Sequence, residues 1–129
     1  MFQRLFEFRN WIRKIPLIAV EMDSTIPKRV RIRRQNGEII QGCDVYIGRW
    51  CTQGGWLITQ DSIWANPYPV KQYGREQCLR MYWEHLRQNP DLQRQLIHLR
   101  GKTIGCFCEP NENCHGDLLI HAGRYLGYW

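Results

Sequence analysis

The chain has 129 residues, 43% of them hydrophobic, and a formal net charge of +6, which fits one globular domain and excludes a largely disordered chain. The charge is concentrated near the N-terminus, because residues 1–42 hold nine Lys/Arg against four Asp/Glu, and the remainder holds nine against eight. No run approaches the roughly twenty apolar residues of a membrane span, and the apolar run at residues 17–20 is too short for an export signal. We therefore expect a cytoplasmic protein with an anionic partner, whose six cysteines serve metal binding, catalysis or burial rather than disulfides.

The first fourteen residues predict a short amphipathic helix. Phe2, Leu5, Phe8 and Ile12 recur at helical spacing, and Pro16 limits the helix on its C-terminal side. Such a helix either packs on the domain or docks on a membrane surface or a partner protein.

A basic β-hairpin is predicted next and completes an N-terminal region of residues 1–42. Residues 28–34 alternate apolar residues with arginine, Asn36-Gly37 is typical of a tight turn, and residues 38–40 return. The arginines Arg29, Arg31 and Arg33 are then either a nucleic-acid-binding surface for phosphates or the solvated face of an edge hairpin.

Residues 43–129 alternate strand and helix patterns, which predicts an α/β fold: a single small domain, with a short sheet, an edge β-hairpin and flanking helices. The predicted elements are a strand at 44–48, a long loop at 50–74, a helix at 75–88, a second helix from Asn89-Pro90 to Gly101, a strand at 103–107 and a last helix after Cys114-His115.

The strongest chemical signal is a cluster of cysteines and a histidine near the C-terminus, comprising Cys106, Cys108, Cys114 and His115. In a strand Cys106 and Cys108 point to the same side, and the next loop places Cys114 and His115 at a helix N-terminus. Three interpretations remain open. The four residues bind zinc or an iron–sulfur cluster; Cys108 or Cys114 is a thiolate nucleophile activated by His115; or the cysteines are buried small hydrophobic residues.

Four residues outside the cluster are candidates for binding a substrate. Arg49 follows the predicted strand at 44–48. If this strand and the strand at 103–107 are parallel neighbours, Arg49 shares a crevice with the cysteines and clamps a phosphate or carboxylate there. Asn66 either reads the polar edge of a base or stabilises a turn, and Lys71 lies close behind it in sequence. Trp64 either stacks on a base or covers the core.

Several spaced motifs together resemble a known family, the domain of unknown function family 4326, which is common in phages, giant viruses and bacteria. The resemblance implies a site built from Arg49, Asn66, Lys71, the Cys/His cluster and Asp117, and a host cytoplasmic location for a viral member. Phe107 stands where the family usually has Trp, and the loop at 109–113 is longer than is typical. The Cys-His tail motif is also similar to that of uncharacterised family 488, which is suspected of acting on nucleic acid. The motifs are Tyr46-Ile47-Gly48-Arg49, Trp64-Ala65-Asn66-Pro67-Tyr68, Leu99-Arg100-Gly101-Lys102-Thr103-Ile104-Gly105-Cys106-Phe107-Cys108 and Cys114-His115-Gly116-Asp117-Leu118-Leu119.

The leading hypothesis is a small enzyme that acts on a nucleotide or a nucleic-acid base. Arg49 and Lys71 hold phosphate, Asn66 reads a polar edge, and the Cys/His cluster is the reactive centre through a metal or a thiolate. Asp117 orients His115, acts as a base or complements the helix dipole. The alternatives are a non-catalytic nucleic-acid-binding module with a structural zinc, and a viral accessory protein that binds a host factor through residues 1–42.

Overall fold

A parallel sheet of three short strands organises the residues that the computed structural model describes, which are 24–35, 38–58 and 60–129. Strand β1 (Lys28–Arg31) and strand β4 (Val45–Tyr46) both pair in parallel with β5 (Thr103–Cys106), so that the order is β1-β5-β4. A separate antiparallel pair is formed by β2 (Arg33–Gln35) and β3 (Glu38–Gln41). A 3-10 turn covers Gln53–Gly55.

Strand β5 lies at the centre of the sheet and is crowded at Gly105. A Cβ atom built on Gly105 would lie 2.4 Å from the Cys43 sulfur and 2.8 Å from a methyl carbon of Ile32. Only glycine lets these two side chains close over the strand, and the backbone of β5 is thereby sealed from solvent.

The helices follow the predicted apolar periodicity. A single turn, α1 (Val70–Tyr73), precedes α2 (Arg75–Arg87), which buries Cys78, Leu79, Tyr82, Trp83 and Leu86, the side that the sequence predicted. Burial of each large apolar side chain of this kind stabilises the fold by about 1.5–3 kcal/mol.

Two further helical segments close the core. Helix α3 (Pro90–Gln95) begins at Asn89, whose side chain accepts a hydrogen bond from Leu92 N, and it continues as a 3-10 turn over Leu96–Leu99. Gly101 then adopts a positive φ of 73°, which glycine tolerates at a helix end. The last helix, α4 (His115–Tyr125), packs Leu118, Leu119 and Ala122 inward.

The predicted α/β fold is confirmed as a small domain with a short three-stranded sheet and helices. The predicted strand at 28–34 is divided, because the N–H of Ile32 donates to Cys106 O at 3.0 Å and the Ile32 side chain is buried. Residues 28–31 therefore join the parallel sheet, and the antiparallel pair begins at Arg33. The predicted N-terminal helix and the Asn36-Gly37 turn lie outside the described residues. Within the described parts of the chain, no helix has the length and apolar character needed to cross a membrane.

Candidate functional site

The carboxyl ends of β4 and β5 open onto one pocket of about 170 Å³. Because both strands run in parallel, the residues that follow them emerge at the same edge of the sheet, where ligands bind in open α/β sheets. The structure therefore brings Arg49 and the C-terminal cysteines to one crevice. The lining residues are Gly48, Arg49, Asn66, Tyr68, Val70, Cys78, Cys106, Phe107, Cys108 and His115.

Three sulfur atoms meet at this pocket, which Cys106 and Cys108 line and behind which Cys114 is buried. The Sγ atoms of Cys106, Cys108 and Cys114 all lie within 4.8 Å of one another, and those of Cys106 and Cys114 are 3.3 Å apart. Cys106 ends strand β5, Cys108 follows it, and Cys114 is the N-cap of α4, so three different backbone segments hold the sulfurs together. These three cysteines form a group that could hold a metal ion.

A hydrogen bond from Nε2 of His115 to the backbone orients the imidazole so that Nδ1 faces the sulfurs. Its Nε2 lies 2.7 Å from Ile47 O, and because a carbonyl oxygen only accepts, Nε2 carries the hydrogen. Nδ1 then presents its lone pair to the cluster, 3.5 Å from Cys114 Sγ. Burial lowers the pKa of His115, so the ring is held neutral, and Tyr82 packs edge-on against it at 5.1 Å between ring centroids.

The first negative charge of the cluster belongs to Cys108. Hydrogen bonds from the Cys106 and Cys114 thiols, with help from Arg75, lower the pKa of Cys108 to about 2. The hydrogen bond from the Cys106 thiol to Cys108 raises the pKa of Cys106. The hydrogen bond from the Cys114 thiol to Cys106, together with burial, raises the pKa of Cys114. Cys108 lines the pocket, as Cys106 does.

Arg29 clamps the loop that joins Cys108 to Cys114. Its guanidinium donates to three carbonyl oxygens, those of Glu109, Pro110 and Glu112, at 2.8–3.3 Å, and Nε donates to Asp117 Oδ1 at 3.1 Å. Nη1 also lies 4.0 Å from Cys106 Sγ. Only 9% of the Arg29 side chain is exposed, so the predicted phosphate-contacting position of this arginine is wrong: it is an internal loop clamp.

Arg75 holds the same loop from the opposite side. Nη1 donates to Asn113 O at 2.8 Å and lies 3.9 Å from Cys108 Sγ, while Nη2 pairs with Glu112 at 2.6 Å. Cationic groups therefore stand beside two of the three sulfurs, which favours thiolates over thiols.

Arg49 differs from these clamps because its guanidinium forms no hydrogen bond or ion pair with another described residue. It is exposed at the pocket wall, and an unpaired guanidinium at a pocket is suited to a phosphate or a carboxylate. Asn66 lines the same pocket, but its amide is engaged: Nδ2 donates to Cys78 Sγ at 2.9 Å, and Oδ1 accepts from Tyr68 N. Asn66 therefore stabilises the turn before α1.

Three other predicted site residues lie elsewhere. Trp64 is 3% exposed in the core, where its carbonyl oxygen accepts from Tyr82, so the predicted stacking of Trp64 on a base is wrong. Lys71 is exposed on α1 and is not among the pocket-lining residues. Asp117 caps α4 by accepting from Cys114 N and pairs with Arg29, so its carboxylate does not orient His115.

The remaining arginines of the predicted row also differ from one another. Arg31 pairs with Glu109 at 2.9 Å at the surface of the loop, and Arg33 is exposed at the start of β2. A phosphate-contacting role for these two arginines stays a prediction.

Sequence patterns gave no indication of Arg75 or Cys78. Each lies on α2, about 30 positions before the cluster, where the pattern shows only a helix with an apolar face. Cys78 is buried on that face, and burial raises the pKa of its thiol. Only the packing of α2 against the pocket reveals its position.

Comparison with known proteins yields a family and a relative. The sequence model of the domain of unknown function DUF4326 matches residues 30–124. The uncharacterized protein R718 of Acanthamoeba polyphaga mimivirus is 42% identical over 110 residues, an alignment that covers 79% of this chain and 83% of the relative. No solved structure matches.

Proposed function

For this chain, which belongs to the DUF4326 family, we propose that the pocket is the active site of a small zinc enzyme that acts on a nucleotide or a nucleic-acid base. One observation carries the proposal: three sulfurs, a neutral imidazole and an unpaired guanidinium line or underlie a single pocket. We place the activity in the cytoplasm, of the host cell for a viral member, where reducing conditions keep the six free cysteines available.

The donor set fits one zinc ion better than an iron–sulfur cluster. With Zn–S bonds of about 2.3 Å, two sulfurs on one tetrahedral ion lie roughly 3.8 Å apart. The three sulfurs here all lie within 4.8 Å of one another, and those of Cys106 and Cys114 are 3.3 Å apart, whereas a cluster of several irons needs its cysteines more widely spread. His115 adds the second-shell contact typical of zinc sites, a ring N–H donated to a backbone carbonyl.

The pocket gives each residue a chemical task. Cys106, Cys108 and Cys114 would hold the zinc ion, which when bound would supply Lewis-acid chemistry that polarises water or a substrate atom. His115 Nδ1, neutral and 3.5 Å from Cys114 Sγ, would accept a proton or serve as a fourth ligand. Arg49 binds the anionic group of the substrate, and the apolar side chains of Val70 and Phe107 hold its ring in a volume of about 170 Å³.

The metal is tested first, on protein purified without air. We expect about one zinc per chain by elemental analysis, loss of zinc in Cys108→Ser, and retention in the control Cys51→Ser, since Cys51 is not in the cysteine group. Iron with visible absorption, or no metal at all, would overturn the zinc assignment.

The ligand is tested by calorimetric titration with a panel of nucleoside monophosphates. Arg49→Gln should weaken binding by about tenfold or more, because a guanidinium–phosphate pair is lost. Arg94→Gln is the matched control, since Arg94 is 67% exposed and, among the described residues, forms an ion pair with Asp91 alone. Equal affinities of wild type and Arg49→Gln contradict the proposal. Zinc bound without any nucleotide affinity or turnover instead favours the structural-zinc module.

A second candidate function rests on Cys108 alone. Cys108 lines the pocket and has Arg75 Nη1 3.9 Å from its sulfur, and a cation beside a cysteine at a pocket is typical of a thiolate nucleophile. If purified protein carries no metal, Cys108 should react with iodoacetamide well before Cys51, as read by mass spectrometry of peptides. Equal labelling of the two cysteines rejects this candidate.

A further inference from the structure

We propose that the ligand of this pocket is a base within a single-stranded nucleic acid, and that the strand continues over the pocket rim across Trp50 and Lys71. The inference rests on the proposed function and adds the polymer to it. It depends on a surface next to the pocket, formed by Trp50 on one part of the chain and by Lys71 on α1.

The first half of this surface is an aromatic side chain beside the free guanidinium. Trp50 follows Arg49 directly, and its side chain is 57% exposed although tryptophan is highly buried on average. The backbone is fixed, because Trp50 N donates to Asp61 Oδ1 at 2.6 Å. An exposed indole directly after the pocket-lining Arg49 offers a face on which a base outside the pocket can stack.

The second half belongs to α1. Val70 lines the pocket and is 39% exposed, and the next residue, Lys71, is exposed with no ion pair to another described residue. Phe107, 38% exposed, lines the same pocket. Two unpaired cations and two exposed rings thus either line this pocket or directly follow a residue that does.

Three of the seven large apolar residues that are exposed among the described side chains belong to this surface, namely Trp50, Val70 and Phe107. Stacking surfaces interleaved with cations match a single strand, whose bases are unpaired and whose phosphates are regularly spaced. In a duplex the bases are paired and stacked. A pocket of about 170 Å³ can accept a base of a duplex only after that base has left the stack.

The experiment compares three probes on the zinc-loaded full chain by fluorescence anisotropy and competition. The probes are a twelve-residue single-stranded oligonucleotide, the duplex of the same length and the matching mononucleotide. We expect the single strand to bind about tenfold or more tighter than either other probe. Trp50→Ala should lose about tenfold in affinity for the strand, Trp50→Phe should keep most of it, and the control Ile97→Ala should be unchanged.

Salt dependence tests Lys71 separately. Each phosphate contact to a single strand contributes about −0.7 to the slope of log affinity against log salt. Lys71→Gln should therefore make the slope shallower by about that amount, whereas Arg94→Gln should not.

Each outcome bears on one of the two proposals. Equal affinity for strand and mononucleotide, equal affinity for strand and duplex, or an unaffected Trp50→Ala variant overturns this inference and leaves the zinc enzyme standing. If the protein carries no zinc but binds the single strand more tightly than the mononucleotide, the proposal of a zinc enzyme is overturned and the binding surface across Trp50 and Lys71 is supported.

Discussion

Two arginines stand beside the cysteine group, and each is also paired with a carboxylate. Three thiolates around one divalent ion would carry a net charge of −1, and Arg29 and Arg75 lie 4.0 and 3.9 Å from the sulfurs of Cys106 and Cys108. Both also hold carbonyl oxygens of the loop at 109–113. The same side chains thus set the loop geometry and the electrostatic environment of the sulfurs.

Replacing either clamp by lysine should weaken zinc binding. Lysine keeps the charge but not the planar fork that reaches several acceptors at once. For Arg29→Lys and Arg75→Lys we expect zinc affinity to fall by about 10–100-fold, the usual effect of second-shell changes, as measured by competition with a chromophoric chelator. Arg80→Lys, on the exposed side of α2 near Glu76, is the control. If all three variants bind zinc as tightly as wild type, the hydrogen bonds of the two arginines to the loop do not contribute to zinc binding.

Among the elements, β5 is the least tolerant of change, because both other strands of the sheet, β1 and β4, pair with it and because the cysteine group begins at its end. Gly105→Ala should destabilise the fold by about 1–3 kcal/mol, since the new methyl group meets the Cys43 sulfur and Ile32. Gly42→Ala is the matched control, because a Cβ at Gly42 has nothing within 4 Å. Urea unfolding measures both, and equal midpoints for the two variants would contradict the close packing over β5.

Helix α4 contains a histidine that makes stability depend on pH. His121 packs near Trp83 at 6.1 Å between ring centroids, and burial, with Arg124 nearby, lowers its pKa from the usual 6.5. The unfolded chain therefore binds a proton more readily than the folded chain, and stability falls as pH drops from about 6.5 toward the lowered value. His121→Gln should lose less stability than wild type between pH 7.5 and 5.5 in urea unfolding. The exposed His98→Gln should follow wild type, and identical curves for all three proteins would refute the argument.

Elements with a local cause were predictable from the sequence. The five buried residues of α2 recur at helical spacing, and Asn89-Pro90 marks the start of α3. The assignment of residues 28–34 depended instead on a pairing of β1 with β5 more than 70 positions away, which no local pattern contains. Arg29 and Trp64 were misplaced for the same reason, because their burial is decided by segments distant in sequence.

At the scale of the whole molecule, the cysteine group joins three parts of the chain that packing and a few hydrogen bonds also hold together. Cys106 belongs to the central strand, Cys108 to the clamped loop, and Cys114 is the N-cap residue of α4. An ion bound by all three would link the sheet to the last helix, and any ion that binds only the folded chain adds its binding free energy to the stability.

Removal of zinc should therefore lower the melting temperature. At a free zinc concentration of about 100 times the dissociation constant, the stabilisation is about 2.7 kcal/mol, which corresponds to roughly 10 °C for a domain of this size. Thermal scans with and without a strong chelator measure the shift. Cys114→Ser should melt at one lower temperature in both conditions, whereas Cys51→Ser should respond to the chelator as wild type does, because Cys51 lies outside the cysteine group. A wild-type melting temperature that the chelator leaves unchanged would mean that the three sulfurs are held together by the fold and its arginine clamps alone.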